Sequence, residues 1–443
     1  MFQQITSYVS NLLSPYLCGF RKGYNAQHAL LRLKNNLNKS LDKKENIGLV
    51  MMDLSKAFDC IPHDLLLAKL YAYGFDKSSL RLIHSYLKER HQRVKINSEY
   101  SSWKEILDGV PQGSVLGPLL FNLFINDLFL FVENSDVCNY ADDNTLMVAD
   151  KNIDSIISKL ESDMEILNSW FIDNGMLLNG DKCHFMLLGP SSVSRNNIEK
   201  VTFAGKTIRE CKTSKLLGIT FDNQLTMSDH IKGICKQASN KLYALARISH
   251  YLSCHKRKIL MKSFIISQFN YCPIIWMYCQ RKSNNSINRI HERALRIAYN
   301  DYESDFKMLL EKDNTVTIHQ KNIQNLTIET YKTLNNLNPT FMNEIFYLKE
   351  QHYNTRKQEL AYPNPHTVSH GLESFGYKAT QLWSQIPNKI QQADNLSTFK
   401  KEISKHCVNI CNCNLCKCYI TNLGYIDNRQ PPPDPHSLSI TPL

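Results

Sequence analysis

Apolar and polar positions divide the chain into a first part with short strands and helices and a second part with mostly helical periodicity. The apolar run 47–52 has the length of a buried strand and ends at Asp53. Residues 137–148 carry apolar runs on both sides of a polar turn, which predicts a strand, turn, strand hairpin. From Ile153 to Leu167 apolar residues recur at three- and four-residue steps, so we expect an amphipathic helix packed on a sheet.

Further elements continue this pattern on both sides of Ser228. A helix is predicted from His63 to Tyr71, because Pro62 suits the first helical turn and leucines follow it. Short apolar runs predict further short strands, including those around 201–203 and 216–221. From Ser228 onward the periodicity predicts helices, one with its apolar face between Ile231 and Ile248 and another from Ile259 to Trp276. The pattern therefore predicts an α+β region followed by a helical region.

Three aspartates stand out at the ends of predicted strands. Asp142 and Asp143 are adjacent at the hairpin turn, and Asp53 ends the strand 47–52. An isolated pair of aspartates is more typical of a turn whose carboxylates bond nearby backbone and face water. A third carboxylate at another strand end favours a two-metal site instead, in which two Mg²⁺ ions lie about 4 Å apart and promote phosphoryl transfer.

Composition narrows the choice of partner and compartment. The chain has 443 residues, and its 52 Lys and Arg against 41 Asp and Glu give a formal charge of +11. This charge favours a polyanionic partner such as nucleic acid, although ordinary solubility charge is the alternative. The sequence has no run of 18 apolar residues and no recognisable secretory signal. We therefore predict no membrane partner and an intracellular location, in the nucleus or cytoplasm.

The cysteines fall into two groups. Nine of the 14 are scattered from Cys18 to Cys279 and are expected to be reduced. The other five crowd into 407–418 behind His406, with a proline-rich stretch at 431–435. A zinc knuckle is one interpretation, but the spacing matches structural zinc sites poorly. We therefore predict a disordered Cys-rich and Pro-rich tail over 406–443, with zinc binding left open.

Longer ordered motifs surround the aspartates. Asp53–Leu66 reads DLSKAFDCIPHDLL, Gly109–Asn122 reads GVPQGSVLGPLLFN, and Asn139–Asn144 reads NYADDN. In this order they resemble motifs A, B and C of the reverse transcriptases of non-LTR, LINE-type retrotransposons, jockey-like elements in particular. The resemblance extends to Cys18–Gly23 (CGFRKG) before motif A, to Asn179–Lys182 (NGDK) as motif D and to Leu216–Ile219 (LLGI) as motif E.

The resemblance implies an RNA-directed DNA polymerase with a right-hand architecture. Its palm would be an antiparallel sheet with packed helices, and its substrates an RNA template, a DNA primer and dNTPs. The implied cofactor is a pair of Mg²⁺ ions, with Mn²⁺ as a substitute. We predict a fingers remnant and palm over 1–225, a helical thumb over 226–300, a mostly helical C-terminal region over 301–405 and the tail over 406–443.

The resemblance also implies roles in catalysis. Asp53, Asp142 and Asp143 would be the metal ligands, with Asp53 and Asp142 bridging both ions. Lys182 resembles the motif D lysine that donates a proton to the leaving pyrophosphate, although a solvated turn lysine would look the same. His63 and His184, by contrast, have no metal-binding spacing and are assigned structural roles, as is His230.

Other residues resemble a substrate-binding set. The ring of Phe58 would clash with a ribose 2′-OH and so select deoxynucleotides, whereas a core phenylalanine is a serious alternative. Gln112 and Gly113 would lie near the nucleotide, unless their loop merely caps a helix. Arg21 could contact template or phosphate by charge, as could any exposed basic residue.

Two more regions resemble parts that hold the primer. Leu217 and Gly218 look like the primer grip, in which the backbone makes the contacts, although a plain strand remains the alternative. Basic residues in the helices after Ser228 would follow a template–primer duplex, or else form a solvated helix face.

The beginning of the chain raises the question of activity. Only eighteen residues precede Gly19, where this family has a longer fingers segment and often an endonuclease. We therefore expect truncated fingers, and reduced or no activity of a truncated copy is left open. Two alternatives stay open, a catalytically silent nucleic-acid-binding remnant of the same element and a palm protein similar to group II intron maturases.

Overall fold

The structure is a computed structural model that describes residues 1–190, 199–345, 347–348, 360–362, 365–367, 370–372 and 374–406. The predicted tail, including the cysteines at 407–418, lies outside these residues apart from His406. The chain forms two compact units. The first unit comprises Met1–His230 and Glu329–Gln381, and the second comprises Ile231–Ile328 and the described residues from Leu382 onward. The predicted region 301–405 therefore contributes to both units.

The described elements follow in chain order. The α-helices are α1 (Phe2–Val9), α2 (Ala26–Asp42), α3 (His63–Ala72), α4 (Lys77–Leu87), α5 (Gly117–Ile125), α6 (Ile153–Asp173), α7 (Ser228–Ile248), α8 (Cys254–Leu260), α9 (Pro273–Trp276), α10 (Arg281–Tyr299), α11 (Phe306–Asp313), α12 (Ile318–Leu334), α13 (Phe375–Ser384), α14 (Asn388–Gln391) and α15 (Leu396–His406). The strands are β1 (Asn46–Met52), β2 (Arg90–Gln92), β3 (Lys95–Ile96), β4 (Glu99–Tyr100), β5 (Lys104–Ile106), β6 (Asp136–Tyr140), β7 (Asp143–Asp150), β8 (His184–Leu188), β9 (Lys200–Phe203), β10 (Lys206–Arg209), β11 (Thr213–Leu216), β12 (Ile219–Asp222), β13 (Tyr347–Leu348) and β14 (Leu360–Ala361).

The first unit is built on a four-stranded antiparallel sheet with the order β6-β7-β1-β8. All seven residues of β1 are buried, which explains why the run 47–52 is apolar without alternation. The predicted strand 47–52 and the hairpin over 137–148 are confirmed, and so is the α+β class.

Helix α6 packs directly on this sheet. At Gly48, in the middle of β1, an added Cβ would lie 2.5 Å from Cγ2 of Ile156 and 2.6 Å from Cδ1 of Leu160. A side chain at this position would therefore push the helix away. The predicted amphipathic helix is confirmed, and its buried face continues beyond Leu167 to Trp170 and Phe171.

The alternative of a plain strand through Leu217 and Gly218 is wrong. The strands β11 and β12 pair with each other as a hairpin, and the turn between them consists of Leu217 and Gly218. Both turn residues have positive φ, +45° and +81°, a region that interrupts an extended strand. Glycine adopts this conformation at little cost, so Gly218 is the sequence signal for the turn.

The predicted helical segment from Ile259 to Trp276 is also not continuous. Helix α8 ends at Leu260 and is followed by a π-helical turn, Met261–Ile265, and a 3₁₀ turn, Ile266–Phe269. Cys272 then has a left-handed conformation with φ +42°, and α9 begins at Pro273. Proline has no backbone N–H to donate to a preceding turn, so a new helix begins there.

One exposed region of the first unit was not predicted. Residues 90–106 form a long hairpin in which β2 pairs with β5 and β3 pairs with β4. Elsewhere in the fold, none of the described helices combines the length and the apolar character needed to cross a bilayer.

Candidate active site

The central sheet brings predicted catalytic residues into one row at one of its ends. Continuing the pairing of β1 with β7 by one residue places Asp53 opposite Asp143. Lys182 lies on the other side of Asp53, at the end of a 3₁₀ turn, Gly180–Lys182, that precedes β8. The Nζ atom of Lys182 lies 3.3 Å from Oδ2 of Asp53. We call this end of the sheet, with Asp53, Asp142 and Asp143, the carboxylate end.

A two-residue turn, Ala141 and Asp142, joins β6 to β7. Ala141 has φ +56°, a conformation that residues with a side chain seldom adopt. Two buried asparagines hold the turn: Asn139 Nδ2 donates to the Ala141 carbonyl at 2.8 Å, and Asn144 Nδ2 donates to the Asp142 carbonyl at 3.2 Å. The flanking asparagines of NYADDN therefore fix the backbone that presents Asp142.

The carboxylates at this end of the sheet repel one another. Partial burial and then the charges of Asp142 and Asp53 raise the pKa of Asp143 to about 6. In Asp53, Oδ2 is shielded from water and has no hydrogen-bond partner, and its ion pair with Lys182 lacks hydrogen-bond geometry. Unsatisfied negative charge of this kind favours a bound cation.

The donor chemistry fits a divalent cation, but the described residues do not yet enclose one. Carboxylate oxygens are the ligands that Mg²⁺ prefers, and Oδ2 of Asp53, which accepts no hydrogen bond, supplies one. Within the described ranges, no group of three or more His, Cys, Asp or Glu side chains is arranged so that it could hold a metal ion. The three aspartates therefore share one end of the sheet without converging on a single point.

A cavity of about 220 Å³ opens at the carboxylate end and is lined by Asp53, Asp143 and Lys182. Leu217, at the tip of the β11–β12 hairpin, lines the same cavity, so the predicted primer grip and the predicted metal ligands meet there. Gly218 is the other residue of that turn. Asp142 is not among the lining residues.

Two residues of this cavity were missed or given another role by the sequence analysis. Lys215 lines it and was not predicted, and His184, which was assigned a structural role, lines it as well. The signal for Lys215 was its place directly before the LLGI motif. His184 begins β8 directly after the NGDK motif and Cys183, so its position follows from the strand.

The predicted sugar-selecting residue, Phe58, is half-buried in a group of aromatic rings. Its ring stacks on Phe121 with centroids 4.1 Å apart and an interplanar angle of 16°, and it meets Phe20 edge-on at 5.7 Å. Phe121 is fully buried, so Phe58 extends the core toward the surface. The ring is held in place, and its contact with a sugar stays a prediction.

The motif B loop packs against the segment that follows Asp53. Gly109 has φ +79°, and an added Cβ there would lie 2.7 Å from the Cα of Asp59. Gln112 Nε2 donates to Oδ1 of Asp59 at 2.7 Å. Gln112 and Gly113 are both exposed, so the loop presents them to solvent.

Arg21 is engaged within its own segment. Its guanidinium donates to the carbonyls of Ser14 and Leu17 at 2.6 and 3.2 Å and lies 4.3 Å from the centroid of the Tyr24 ring. Burial lowers the pKa of this guanidinium, while interaction with Tyr24 opposes the change. These contacts give Arg21 a local structural role, and its contact with template stays a prediction.

The CGFRKG segment supports the aspartate turn through its backbone. An added Cβ at Gly19 would lie 2.5 Å from the backbone N of Ala141, so only glycine permits this approach. Asn122 of motif B donates through Nδ2 to the Gly19 carbonyl at 2.7 Å. Motif B and the CGFRKG segment are thus tied together next to motif C.

The unpredicted hairpin over 90–106, which we call the basic hairpin, carries an exposed group of cations and rings. The guanidinium of Arg93 lies 4.0 Å from the ring centroid of Tyr100 and 4.6 Å from that of Trp103. Lys95 lies 5.1 Å from the Tyr100 ring. Tyr100 and Trp103 keep 48% and 59% of their surface exposed, so both rings have area left for stacking.

Comparisons with known proteins agree with the motifs. The family described as "Reverse transcriptase (RNA-dependent DNA polymerase)" matches residues 1–221. The "RNA-directed DNA polymerase from mobile element jockey" of Drosophila melanogaster is 27% identical over 338 residues, which cover 72% of this chain and 36% of that protein. The "Probable RNA-directed DNA polymerase from transposon BS" of the same species is 27% identical over 299 residues, 64% of this chain and 32% of that protein. The chain therefore spans about a third of the length of these relatives.

A solved structure of telomerase from Candida albicans in complex with a fragment of telomeric RNA is 13% identical, with a TM-score of 0.38. That similarity covers 71% of this chain and 58% of the telomerase chain.

Proposed function

We propose, given that this chain belongs to the reverse transcriptases of non-LTR, jockey-like retrotransposons, that its first unit extends a DNA primer on an RNA template. The observation that carries the proposal is the row formed by Asp143 at the start of β7, Asp53 directly after β1, and Lys182 in the 3₁₀ turn before β8. It supports nucleotidyl transfer from a dNTP to a primer 3′-OH. Such an enzyme acts on nucleic acid inside the cell, in the nucleus or the cytoplasm.

Asp53, Asp142 and Asp143 would hold two Mg²⁺ ions, or Mn²⁺ in their place. When bound, such ions activate the attacking hydroxyl and neutralise the leaving pyrophosphate. Asp143 must lose its proton before it can act as a ligand, because only the carboxylate binds the cation. Its raised pKa makes this loss dependent on pH near 6.

Lys182 would act on the leaving group. Its ammonium is mostly exposed and lies 3.3 Å from Asp53, so it can turn toward a triphosphate while remaining beside the carboxylates. An ammonium in this place can donate a proton to the departing pyrophosphate. Lys215, in the same cavity, adds positive charge that favours phosphate.

Phe58, Gln112 and Gly113 would bind the incoming nucleotide. The aromatic stack on Phe121 fixes the Phe58 ring, and a fixed ring excludes a 2′-OH more sharply than a mobile one. The exposed motif B loop offers the Gln112 amide and an open backbone at Gly113. Leu217 and Gly218 would hold the primer end through backbone contacts, and Arg21 would support the template side.

The basic hairpin supports a single-stranded nucleic-acid partner. Cations interleaved with exposed rings provide both backbone charge and a stacking surface, the combination that binds unpaired strands. Replacing Trp103 with Ala should weaken binding of a single-stranded RNA oligonucleotide by about 1–3 kcal/mol. Trp103→Phe is the matched control, since it keeps an aromatic face.

Primer extension tests the proposal directly. The full chain is incubated with an RNA template, an annealed DNA primer, dNTPs and Mg²⁺, and Asp53→Asn is compared with Asp64→Asn, an exposed aspartate in the first turn of α3. We expect extension by the wild type and by Asp64→Asn, and a loss of at least about 100-fold in Asp53→Asn.

Two results would contradict the proposal. Equal extension by Asp53→Asn and the wild type would exclude the carboxylate row from the chemistry. Oligonucleotide binding without any extension by the wild type would favour the catalytically silent remnant. Phe58→Val adds a check on substrate choice, because it should admit ribonucleotides if the ring contacts the sugar.

A further inference from the structure

A second cavity, of about 290 Å³, lies within the second unit and is separate from the proposed polymerase chemistry. Five of its lining residues carry its polar chemistry: Lys262, Asn270, His291, Asp313 and Lys321. They come from the π-helical turn after α8, the segment before α9, the middle of α10, the end of α11 and the start of α12. The cavity is thus assembled from elements distant in sequence.

The one carboxylate among these five residues is already neutralised. The side chain of Asp313 is 2% exposed, and the Nζ atoms of Lys258 and Lys262 each lie 3.3 Å from one of its oxygens. The hydroxyl of Tyr299 also donates to Asp313 Oδ1 at 2.9 Å. Asp313 therefore contributes little free negative charge to the cavity.

Lys321 lacks a comparable counter-charge. Its half-buried ammonium lies 3.2 Å from Oδ1 of Asn270, a neutral acceptor, and within the described ranges it has no carboxylate in ion-pair contact. Burial lowers the pKa of Lys321, and the nearby charge of Lys262 lowers it further. A cation that is partly desolvated without an anion is costly, so an anion beside it would be stabilising.

His291 adds an unsatisfied polar atom to the same wall. The residue is 3% exposed, and its Nδ1 is shielded from water without a hydrogen-bond partner. Burial lowers the pKa of its ring to about 4, so the imidazole is neutral at pH 7. A neutral imidazole can carry its proton on Nδ1 and donate it to an oxygen. Packing against Phe306 at 5.4 Å explains the position of the ring but leaves this atom unpaired.

We propose that this cavity binds a phosphate group. Among the lining residues, Lys262 and Lys321 against Asp313 leave one positive charge, and Lys258, which also pairs with Asp313, adds a second beside the cavity; together they match a phosphate dianion. Lys262 and Lys321 would contact the oxygens, and His291, whose Nδ1 is shielded, would donate once its ring turns toward the phosphate. The phosphate could belong to a small molecule or to the backbone of a polynucleotide, and these sources share the same recognition chemistry.

Calorimetric titration of the full chain with inorganic phosphate, at constant ionic strength in chloride, tests the proposal. Lys321→Met is compared with Lys307→Met, which removes an exposed lysine of α11 in the same unit. We expect phosphate binding that is at least about tenfold weaker in Lys321→Met and unchanged in Lys307→Met. His291→Phe should also weaken binding several-fold, and thermal unfolding of each variant verifies that it is folded.

A competition experiment between inorganic phosphate and an oligonucleotide identifies the kind of molecule that carries the phosphate. Displacement of inorganic phosphate by a short single-stranded oligonucleotide, lost in Lys321→Met, would assign the cavity to a nucleic-acid backbone. Phosphate binding without such displacement would assign it to a small phosphorylated molecule. No heat with the wild type, or equal affinity in folded Lys321→Met, would overturn the proposal. None of these measurements uses primer extension, so they leave the polymerase proposal independent.

Discussion

Glu329 and the carboxylate end, both in the first unit, have opposite electrostatic environments. The carboxylate of Glu329 is buried and accepts from Lys332 at 2.7 Å and from Asn338 at 3.2 Å, with His28 Nε2 3.1 Å away. Burial opposes its ionisation, but the hydrogen bond with His28 and the charge of Lys332 lower its pKa to about 2. At the carboxylate end, burial and like charges instead raise the pKa of Asp143 to about 6.

This difference indicates a structural role for the Glu329 charge and a functional role for the charges at the carboxylate end. Glu329 has partners for its charge within the fold, so its ionised form stabilises the first unit. Asp143 faces other carboxylates, so its charge costs stability until a cation arrives. A loss of folding stability caused by unpaired charge is typical of functional sites.

The largest effect should come from Glu329. Glu329→Gln removes the buried carboxylate that is hydrogen-bonded to His28 and paired with Lys332, and it leaves Lys332 without its counter-charge, so we expect a loss of about 3 kcal/mol in the free energy of unfolding. Urea denaturation at pH 7 measures it. The control is Glu402→Gln, which breaks an exposed pair with Lys405 at 3.6 Å and should cost about 0–1 kcal/mol. Similar losses of unfolding free energy in the two variants would contradict the stabilising role of the Glu329 charge.

The pH dependence of folding stability also tests the role of the Glu329 charge. Because the pKa of Glu329 is about 2 in the folded chain and 4.5 as its ordinary value, its contribution is fully present above pH 4.5 and is lost as pH falls toward 2. The stability difference between wild type and Glu329→Gln should therefore be constant from pH 7 to 5 and shrink from pH 4.5 to 3. A difference that stays constant to pH 3 would contradict the assigned pKa.

The sequence predicted those parts of the carboxylate end that depend on local patterns. The apolar run before Asp53 and the turn between two short strands are encoded within a few residues, so β1 and the β6–β7 hairpin followed directly. The row linking Asp53 to Lys182 depends on the packing of segments about 130 residues apart, and only the resemblance of the motif order to a known family could suggest it.

Other features left no local signal. The partner of Glu329 is His28, 301 residues away, and neither lies in a recognisable motif. The basic hairpin has too few buried residues for apolar alternation, because its strands are exposed on both faces. The break before Pro273 could have been predicted, since proline was visible inside the supposed helix.

Binding of a divalent cation should offset the charge repulsion that lowers folding stability at the carboxylate end. At ten times its dissociation constant, Mg²⁺ should stabilise the wild type by about 1.4 kcal/mol, because it binds the folded chain only. Asp53→Asn should lose most of this gain. Thermal unfolding with and without Mg²⁺ measures both, with Ca²⁺-free buffer throughout. Equal stabilisation of the variant would place the cation elsewhere.

The smallest effect concerns Asp143 itself and has the opposite sign to that of Glu329. Asp143→Asn removes one of the mutually repelling charges, so the metal-free variant should be more stable than the wild type at pH 7.5. We expect a gain on the order of 1 kcal/mol, since water screens this exposed side chain. Chemical denaturation in EDTA measures it, with Asp64→Asn as the control that should not raise stability, since Asp64 lies in the first turn of α3.

The pH dependence of this gain distinguishes charge repulsion from packing. With a folded pKa of about 6 and an ordinary value of 3.8, the folded wild type binds a proton more readily than the unfolded chain between these values. The cost of the charge is therefore complete above pH 6 and absent below pH 3.8. The advantage of Asp143→Asn should vanish over that interval, and a gain that persists at pH 4 would mean that the amide stabilises the turn by hydrogen bonding instead.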